Sequence, residues 1–334
     1  MKNYLSLVKF SHTIFAMPFA MIGFVLGIYS RTTQRISIGN GGIGSGYLRN
    51  NTNYNYSPEP STDFIKHYIE IKGTQYQLPE FLFNPYLWKF ILILICMITA
   101  RNAAMAFNRY IDRKFDEKNP RTAIREIPAG IITPKNALFF VIINCVIFIT
   151  TTFFINRLCF YLSPVALAVV LGYSLTKRFT FLCHLILGVG LGLAPIGAYI
   201  AVTGRFDVLP LLFSFAVLFW VSGFDIIYAL QDEAFDKEHN LYSIPSYFGQ
   251  TKAKWISRLL HVCSAACIAY AGYYGHFHLL FLLGFIVFSG LLIYQHLLVI
   301  RFGLQKIDLA FFTTNGIASV LFALCVITDI ICFF

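Results

Sequence analysis

Charge is what this sequence has least of. Of 334 residues only 13% are Asp, Glu, Lys or Arg, about half the share of a soluble domain. Acids are scarcest, 16 against 26 bases. The cysteines are eight, all inside apolar runs, and none forms a Cys-x-x-Cys pair; Cys263 and Cys267 have no second His or Cys pair to complete a zinc site. Structural thiols are the reading, and they leave the redox compartment open. A disulfide-stapled scaffold, a collagen-like repeat and a disordered chain are excluded. What is abundant is apolar surface: 57% hydrophobic and 17% aromatic, with 35 Phe, and a mean hydropathy of +0.66. A soluble core needs only about 45–50%, so the solvent that fits is a lipid bilayer. The net charge of +10 is then the Lys/Arg excess of cytoplasmic loops and not a nucleic-acid footprint.

A spanning helix needs about 20 mostly apolar residues. Nine stretches qualify: roughly 11–30, 87–107, 135–155, 158–176, 181–203, 209–230, 256–275, 278–300 and 308–332. The expected fold is all-α, a polytopic bundle of nine transmembrane helices forming one domain over 1–334. The first stretch follows Lys2 and Lys9 but is longer than a signal-peptide apolar core and lacks a small-x-small cleavage pattern, so it reads as retained. Placing the N-terminus inside puts most of the 26 Lys and Arg on the cytoplasmic side. The segment 31–86 is the one composition shift, rich in Gly, Asn, Ser and Tyr in its first half, and reads as an external loop insertion. Within it 62–72 has the pattern of a short strand or amphipathic piece, and Asn50-Asn51-Thr52 fits a glycosylation sequon.

Nine of the 16 acids fall in two stretches, 112–126 and 225–238. At the end of the second span, Asn108, Asp112 and Asp116 are spaced i, i+4, i+8, which at about 100° per residue is one helix face, and Arg101 lies on it too. At the end of the sixth span, Asp225, Tyr228, Asp232 and Asp236 are offset by 0, 3, 7 and 11, again one face. Carboxylates at bilayer depth cost about 2.5–3.5 kcal/mol each even on the lenient scale, and clustered like charges repel further. Cations make the arrangement sensible. Oxygen-only ligands suit Mg2+, typically held by one or two carboxylates plus phosphate oxygens. Two facing stripes on one side of the membrane therefore point to Mg2+ gripping a diphosphate. Tyr173 and Lys177, at i, i+4, place a hydroxyl and an ammonium toward the same phosphate, and Arg121 and Arg125 in the following loop add two guanidiniums.

These motifs resemble the UbiA superfamily of intramembrane prenyltransferases: Asn108-x-x-x-Asp112-x-x-x-Asp116, an Arg-rich loop ending Ile127-Pro128-Ala129-Gly130, Asp232-x-x-x-Asp236, Tyr173-x-x-x-Lys177 and nine spans. Lys9 to Ala20, together with Gly223-Phe224-Asp225-Ile226-Ile227-Tyr228-Ala229, resembles its 4-hydroxybenzoate polyprenyltransferase branch. The resemblance covers nearly the whole chain except 31–86. It implies that Asn108, Asp112, Asp116, Asp232 and Asp236 hold Mg2+ and the diphosphate, helped by Tyr173 and Lys177. It further implies that Arg113 and Asp225, with Tyr228 beside them on the second stripe, face an aromatic acid, Arg113 pairing with its carboxylate and Asp225 accepting from or deprotonating its phenol. Arg121 and Arg125 would close over the site, and the isoprenoid chain would lie along apolar spans open to membrane lipid. The implied reaction is Mg2+-assisted ionisation of a polyprenyl diphosphate followed by electrophilic alkylation of 4-hydroxybenzoate in quinone biosynthesis, at the cytoplasmic face of the inner (plasma) membrane. A naphthoate acceptor in menaquinone biosynthesis is the alternative within this chemistry. A cation-coupled transporter is the alternative from another class, and acids gathered at one surface with little charge at mid-span speak against it. His12 and His184 read as hydrogen-bonded bundle residues, and Asp329 has no motif around it.

Overall fold

The computed structural model describes residues 4, 7, 16–39, 68–71, 74–77, 84–307 and 309–333; His12 and the Asn50 sequon lie outside them. Helix α1 spans Met17–Gly39 and outruns the expected first span by nine residues, into 31–86. A hairpin follows there, β1 (Tyr68–Ile71) and β2 (Thr74–Gln77), antiparallel with Tyr68 opposite Gln77 and Ile71 opposite Thr74. The long helices come next: α2 (Pro85–Lys118), α3 (Pro134–Ile155), α4 (Arg157–Thr176), α5 (Cys183–Thr203) and α6 (Val208–Ala229). A 3-10 turn (Leu230–Asp232) and the short α7 (Glu233–Glu238) precede α8 (Ile244–Tyr274), α9 (Leu279–Phe302) and α10 (Asn315–Phe333). Among the described residues seven helical stretches are long and apolar enough to cross a membrane. This is an integral membrane protein. The two expected spans outside that set are α1, whose apolar part is shorter, Met17–Arg31, and α8, which begins a dozen residues ahead of the 256–275 stretch with a segment that includes Gln250, Lys252 and Lys254.

The helix boundaries are set by local chemistry. Asn84, Thr133, Asn156, Asp207 and Ser243 each cap a helix with a side-chain oxygen, satisfying amides that the first turn leaves unpaired. Ser243 does so in a reciprocal capping box with Ser246. At the far end of α10, Asp329 is fully buried, and its carboxylate accepts from the backbone amides of His278 (2.9 Å) and Phe281 (3.1 Å). It caps α9 from a neighbouring helix, which explains an acid that no motif surrounds.

The core gathers around α6, whose Phe213, Val217, Trp220, Val221 and Phe224 are buried against α1, α8, α9 and α10. Trp220 Nε1 finds its acceptor in Asn315 Oδ1 at 3.0 Å. Glycine permits two close approaches. A Cβ on Gly23 would run into the carbonyl oxygen of Pro195, and one on Gly223 into the ring of His261; these contacts seat α1 on α5 and α8 on α6. Gly23→Leu is expected to cost about 1–3 kcal/mol or more by overpacking, read as a lower unfolding midpoint of the detergent-solubilised protein against wild type.

Candidate active site

The connections bring both acidic stripes to one end of the bundle. Helix α2 continues well past its apolar part and carries Asn108, Asp112 and Asp116. The second stripe is not one continuous helix: α6 ends at Ala229, so Asp225 sits on α6, Asp232 on the 3-10 turn and Asp236 on α7. This break separates their partners.

Four carboxylates are each matched by one base. Arg178 Nη2 reaches Asp112 at 3.4 Å, and Asn108 Nδ2 donates to the same carboxylate at 3.1 Å. Arg125 Nη1 donates to both oxygens of Asp116 at 2.7 and 2.9 Å. Arg121 grips Asp232 bidentately, Nη2 at 2.6 Å and Nε at 3.2 Å, and donates from Nη1 to the Tyr228 hydroxyl at 3.1 Å. Lys177 Nζ lies 2.7 Å from Asp236, which is fully buried and also accepts from Ser243 Oγ at 2.9 Å. Burial works against the charge on Lys177, but Asp236 and Asp232 outweigh it and hold the ammonium above the ordinary lysine range.

The loops are tied into this arrangement. Asn119 accepts from the Arg121 amide (3.0 Å) and donates to Asp232 (3.4 Å), so the turn after α2 spans from one stripe to the other. The Lys177 carbonyl accepts from the Tyr242 amide at 2.7 Å. Beneath them Arg109 and Glu126 form a buried pair at 2.6 Å that anchors the loop carrying Arg121 and Arg125.

Arg113 lies on α2 beside Asp112. Its guanidinium donates to the carbonyl of Tyr110 and lies over that ring, 4.6 Å from the centroid, and no contact brings it to Asp225. The partner of Asp225 is His184, Nδ1 to Oδ2 at 2.7 Å. His184, Arg178, Asn119 and Ser243 are the site residues that spacing did not select. Lys177 and His184, seven apart, carried the only sequence signal for the histidine.

A cavity of about 390 Å3 runs from this end between α2, α3, α4 and α5. Its wall is apolar, from Ile93 and Met97 through Leu162 and Val169 to Leu187 and Ala198, with Arg101 and Tyr173 among the few polar exceptions. From Tyr173 to Cys159 along α4 it extends about 20 Å at about 1.5 Å per residue. It reaches the lipid-facing surface at Val165 and Phe206, both more than half exposed. The Arg101 Nε is buried without a hydrogen-bond partner. Tyr173 is within electrostatic reach of Arg101, Asp112 and Asp225, so it joins the cavity to the carboxylates.

Carboxylates and a carboxamide form an oxygen-only donor set, which fits Mg2+ and not zinc. Among the described residues no three acid, His or Cys groups converge closely enough to hold an ion, because each carboxylate is turned to its own cation. A Mg2+ here would take one or two carboxylates and need phosphate oxygens for the rest.

An apolar chamber roofed by charge-paired acids defines a class of membrane enzyme that handles a lipid diphosphate. Residues 81–317 match the model of the UbiA prenyltransferase family. A 4-hydroxybenzoate octaprenyltransferase of Tolumonas auensis is 31% identical over 223 residues, 67% of this chain and 78% of the relative. The chain belongs to the UbiA prenyltransferase family. In shape it is similar to the apo structure of a UbiA homologue from Aeropyrum pernix (25% identity, TM-score 0.72, 95% of this chain and 98% of that one). It also shares the fold of a UbiA homologue from Archaeoglobus fulgidus bound to DMAPP and Mg2+ (19% identity, TM-score 0.61, 99% and 100%). The family match begins beyond α1 and most of 31–86.

Breaking a buried, charge-assisted pair is strongly destabilising. Arg109→Ala is therefore expected to destabilise the fold by about 3–5 kcal/mol, seen as a lower unfolding midpoint. Arg121→Ala, at a more exposed pair, should leave that midpoint nearly unchanged.

Proposed function

We propose that this chain transfers a polyprenyl group from polyprenyl diphosphate to an aromatic acid, 4-hydroxybenzoate, with release of diphosphate, and that it does so at the cytoplasmic side of the membrane. The observation that carries the reading is the four base-matched carboxylates at the mouth of an apolar cavity that opens to lipid. The curated relatives are named for octaprenyl transfer to 4-hydroxybenzoate, and a solved relative is bound to GPP and Mg2+. The charge distribution supports nine spans with the N-terminus inside and 31–86 as an external insertion in a single transmembrane domain.

Each part of the substrate has a matching surface. The diphosphate lies between the stripes, where Lys177, Arg178, Arg121 and Arg125 exchange a carboxylate for phosphate oxygens. Asp112, Asp116, Asp232 and Asp236, so released, together with Asn108 are the residues that would hold Mg2+. When bound, Mg2+ neutralises charge on the leaving diphosphate and so favours ionisation of the allylic C–O bond. Tyr173 donates toward the departing oxygens. The prenyl tail lies in the cavity, whose walls keep water from an allylic cation. The acceptor lies beneath Tyr173 with its phenol toward the Asp225–His184 pair. Its carboxylate is matched by Arg113 or by Arg101, a guanidinium that lines the same cavity and has a buried, unpartnered Nε.

The deciding assay incubates the purified, reconstituted protein with a polyprenyl diphosphate, Mg2+ and a panel of acceptors including 4-hydroxybenzoate and a hydroxynaphthoate, reading product mass. Transfer to 4-hydroxybenzoate is expected, lost on chelation and restored by Mg2+; a folded protein giving no product with any acceptor refutes the reading. Asp112→Ala and Asp232→Ala should each reduce turnover at least about a hundredfold. Arg101→Ala should raise KM for the acceptor about tenfold or more, by losing a charged hydrogen bond of about 1.5–3 kcal/mol, while leaving KM for the diphosphate little changed.

A further inference from the structure

Building on the transfer reaction above, we propose that His184 is the base that removes the acceptor's phenolic proton, and that Asp225 is the carboxylate that positions it. His184 is the second residue of α5 and is 3% exposed. Its Nδ1 lies 2.7 Å from Asp225 Oδ2. An ionised carboxylate only accepts, so the hydrogen of that bond sits on Nδ1; the form of the ring that can act as a base is the neutral one, with its lone pair on Nε2. That Nε2 is buried and has no hydrogen-bond partner. A buried nitrogen left without a donor is rare in folded proteins and asks for a ligand. The backbone beneath the ring is pinned as well, because Ser222 Oγ donates to the His184 carbonyl at 3.1 Å.

The place is right for the phenol. His184 lies one turn before Leu187, where α5 begins to line the cavity, and Tyr173 and Arg101 line the same cavity, with Tyr173 within electrostatic reach of Asp225 and Arg101. An acid bound to Arg101 through its carboxylate thus directs its opposite, phenolic end toward the pair. The titratable groups around the histidine are Asp225 on α6, Cys183 beside it, Lys177 beyond Cys183, and Tyr173 with Arg101 on the cavity side.

In the step, Nε2 takes the phenol proton and the O–H pair stays on oxygen. The ring carbon ortho to it bonds to C1 of the prenyl group as the C–O bond to diphosphate breaks, its pair leaving with the diphosphate. Loss of the ring C–H proton to diphosphate or water restores aromaticity, and the oxygen regains its proton from His184. Asp225 stays ionised throughout and stabilises the imidazolium.

The test compares wild type, His184→Gln and His184→Asn, full length and reconstituted, with 4-hydroxybenzoate and with 3-fluoro-4-hydroxybenzoate, whose phenol ionises at lower pH, assayed where the latter is a phenolate. A general base is worth about 10²–10⁴ in rate. Each variant is expected to lose about a hundredfold or more in turnover with 4-hydroxybenzoate but less than about tenfold with the fluorinated acid, while Mg2+-dependent binding of a prenyl thiodiphosphate is unchanged. Equal losses with both acceptors, undiminished turnover, or loss of thiodiphosphate binding in both variants overturns the proposal and makes His184 structural. Absence of transfer by wild type would instead refute the reaction itself.

Discussion

The constraint on which everything else depends is that four carboxylates share one end of a membrane bundle. Left alone they would repel one another and resist leaving water. The fold answers with four bases drawn from two separate pieces of chain: Arg121 and Arg125 from the loop after α2, Lys177 and Arg178 from the end of α4. Delivering them dictates the local structure. The loop from α2 must turn at Asn119 to reach the opposite stripe, the buried Arg109–Glu126 pair must hold it down, and the backbone after α7 must dock on Lys177. A site so balanced is neutral without its substrate and can exchange internal ion pairs for phosphate and metal without exposing an unpaired charge.

The second organising feature is the contrast between that charged roof and the chamber under it. Helices α2 to α5 present side chains such as Ile93, Leu162, Val169 and Ala198 to the cavity, and Arg101 and Tyr173 interrupt this wall at the level where a reacting head group would sit. Both are therefore held where each of their polar contacts matters. The helices that seal the other side, α6 with α8 to α10, are packed by aromatic rings around Trp220, so the bundle divides into a solid half and a hollow one.

Much of this was legible in the sequence because it is written in helical period. The stripes at i, i+4, i+8 put Asp112 and Asp116 on one face, and the span boundaries mostly fell within a few residues of the helices. What period does not encode is which loop folds over which stripe. Arg121 and Arg125 are expected near the site, but only the turn at Asn119 assigns one to each stripe, and Arg178 belongs to none of the motifs. Arg113 sits one residue from Asp112, about 100° round the helix, and its guanidinium lies on Tyr110. His184 has an apolar neighbourhood in sequence and acquires its meaning only from Asp225, 41 residues away. Helix α8 extends a dozen residues beyond its apolar stretch, through a polar segment with Lys252 and Lys254 that the hydropathy pattern leaves out.

The central claim is that the carboxylates are held by protein cations until a diphosphate displaces them. Calorimetric titration of Mg2+ into the reconstituted protein, with and without a non-ionising prenyl thiodiphosphate, tests it most directly. The expected result is weak binding of Mg2+ alone and at least roughly tenfold tighter binding with the thiodiphosphate present, with the reciprocal gain for the thiodiphosphate. Mg2+ binding that is equally tight in its absence would contradict it.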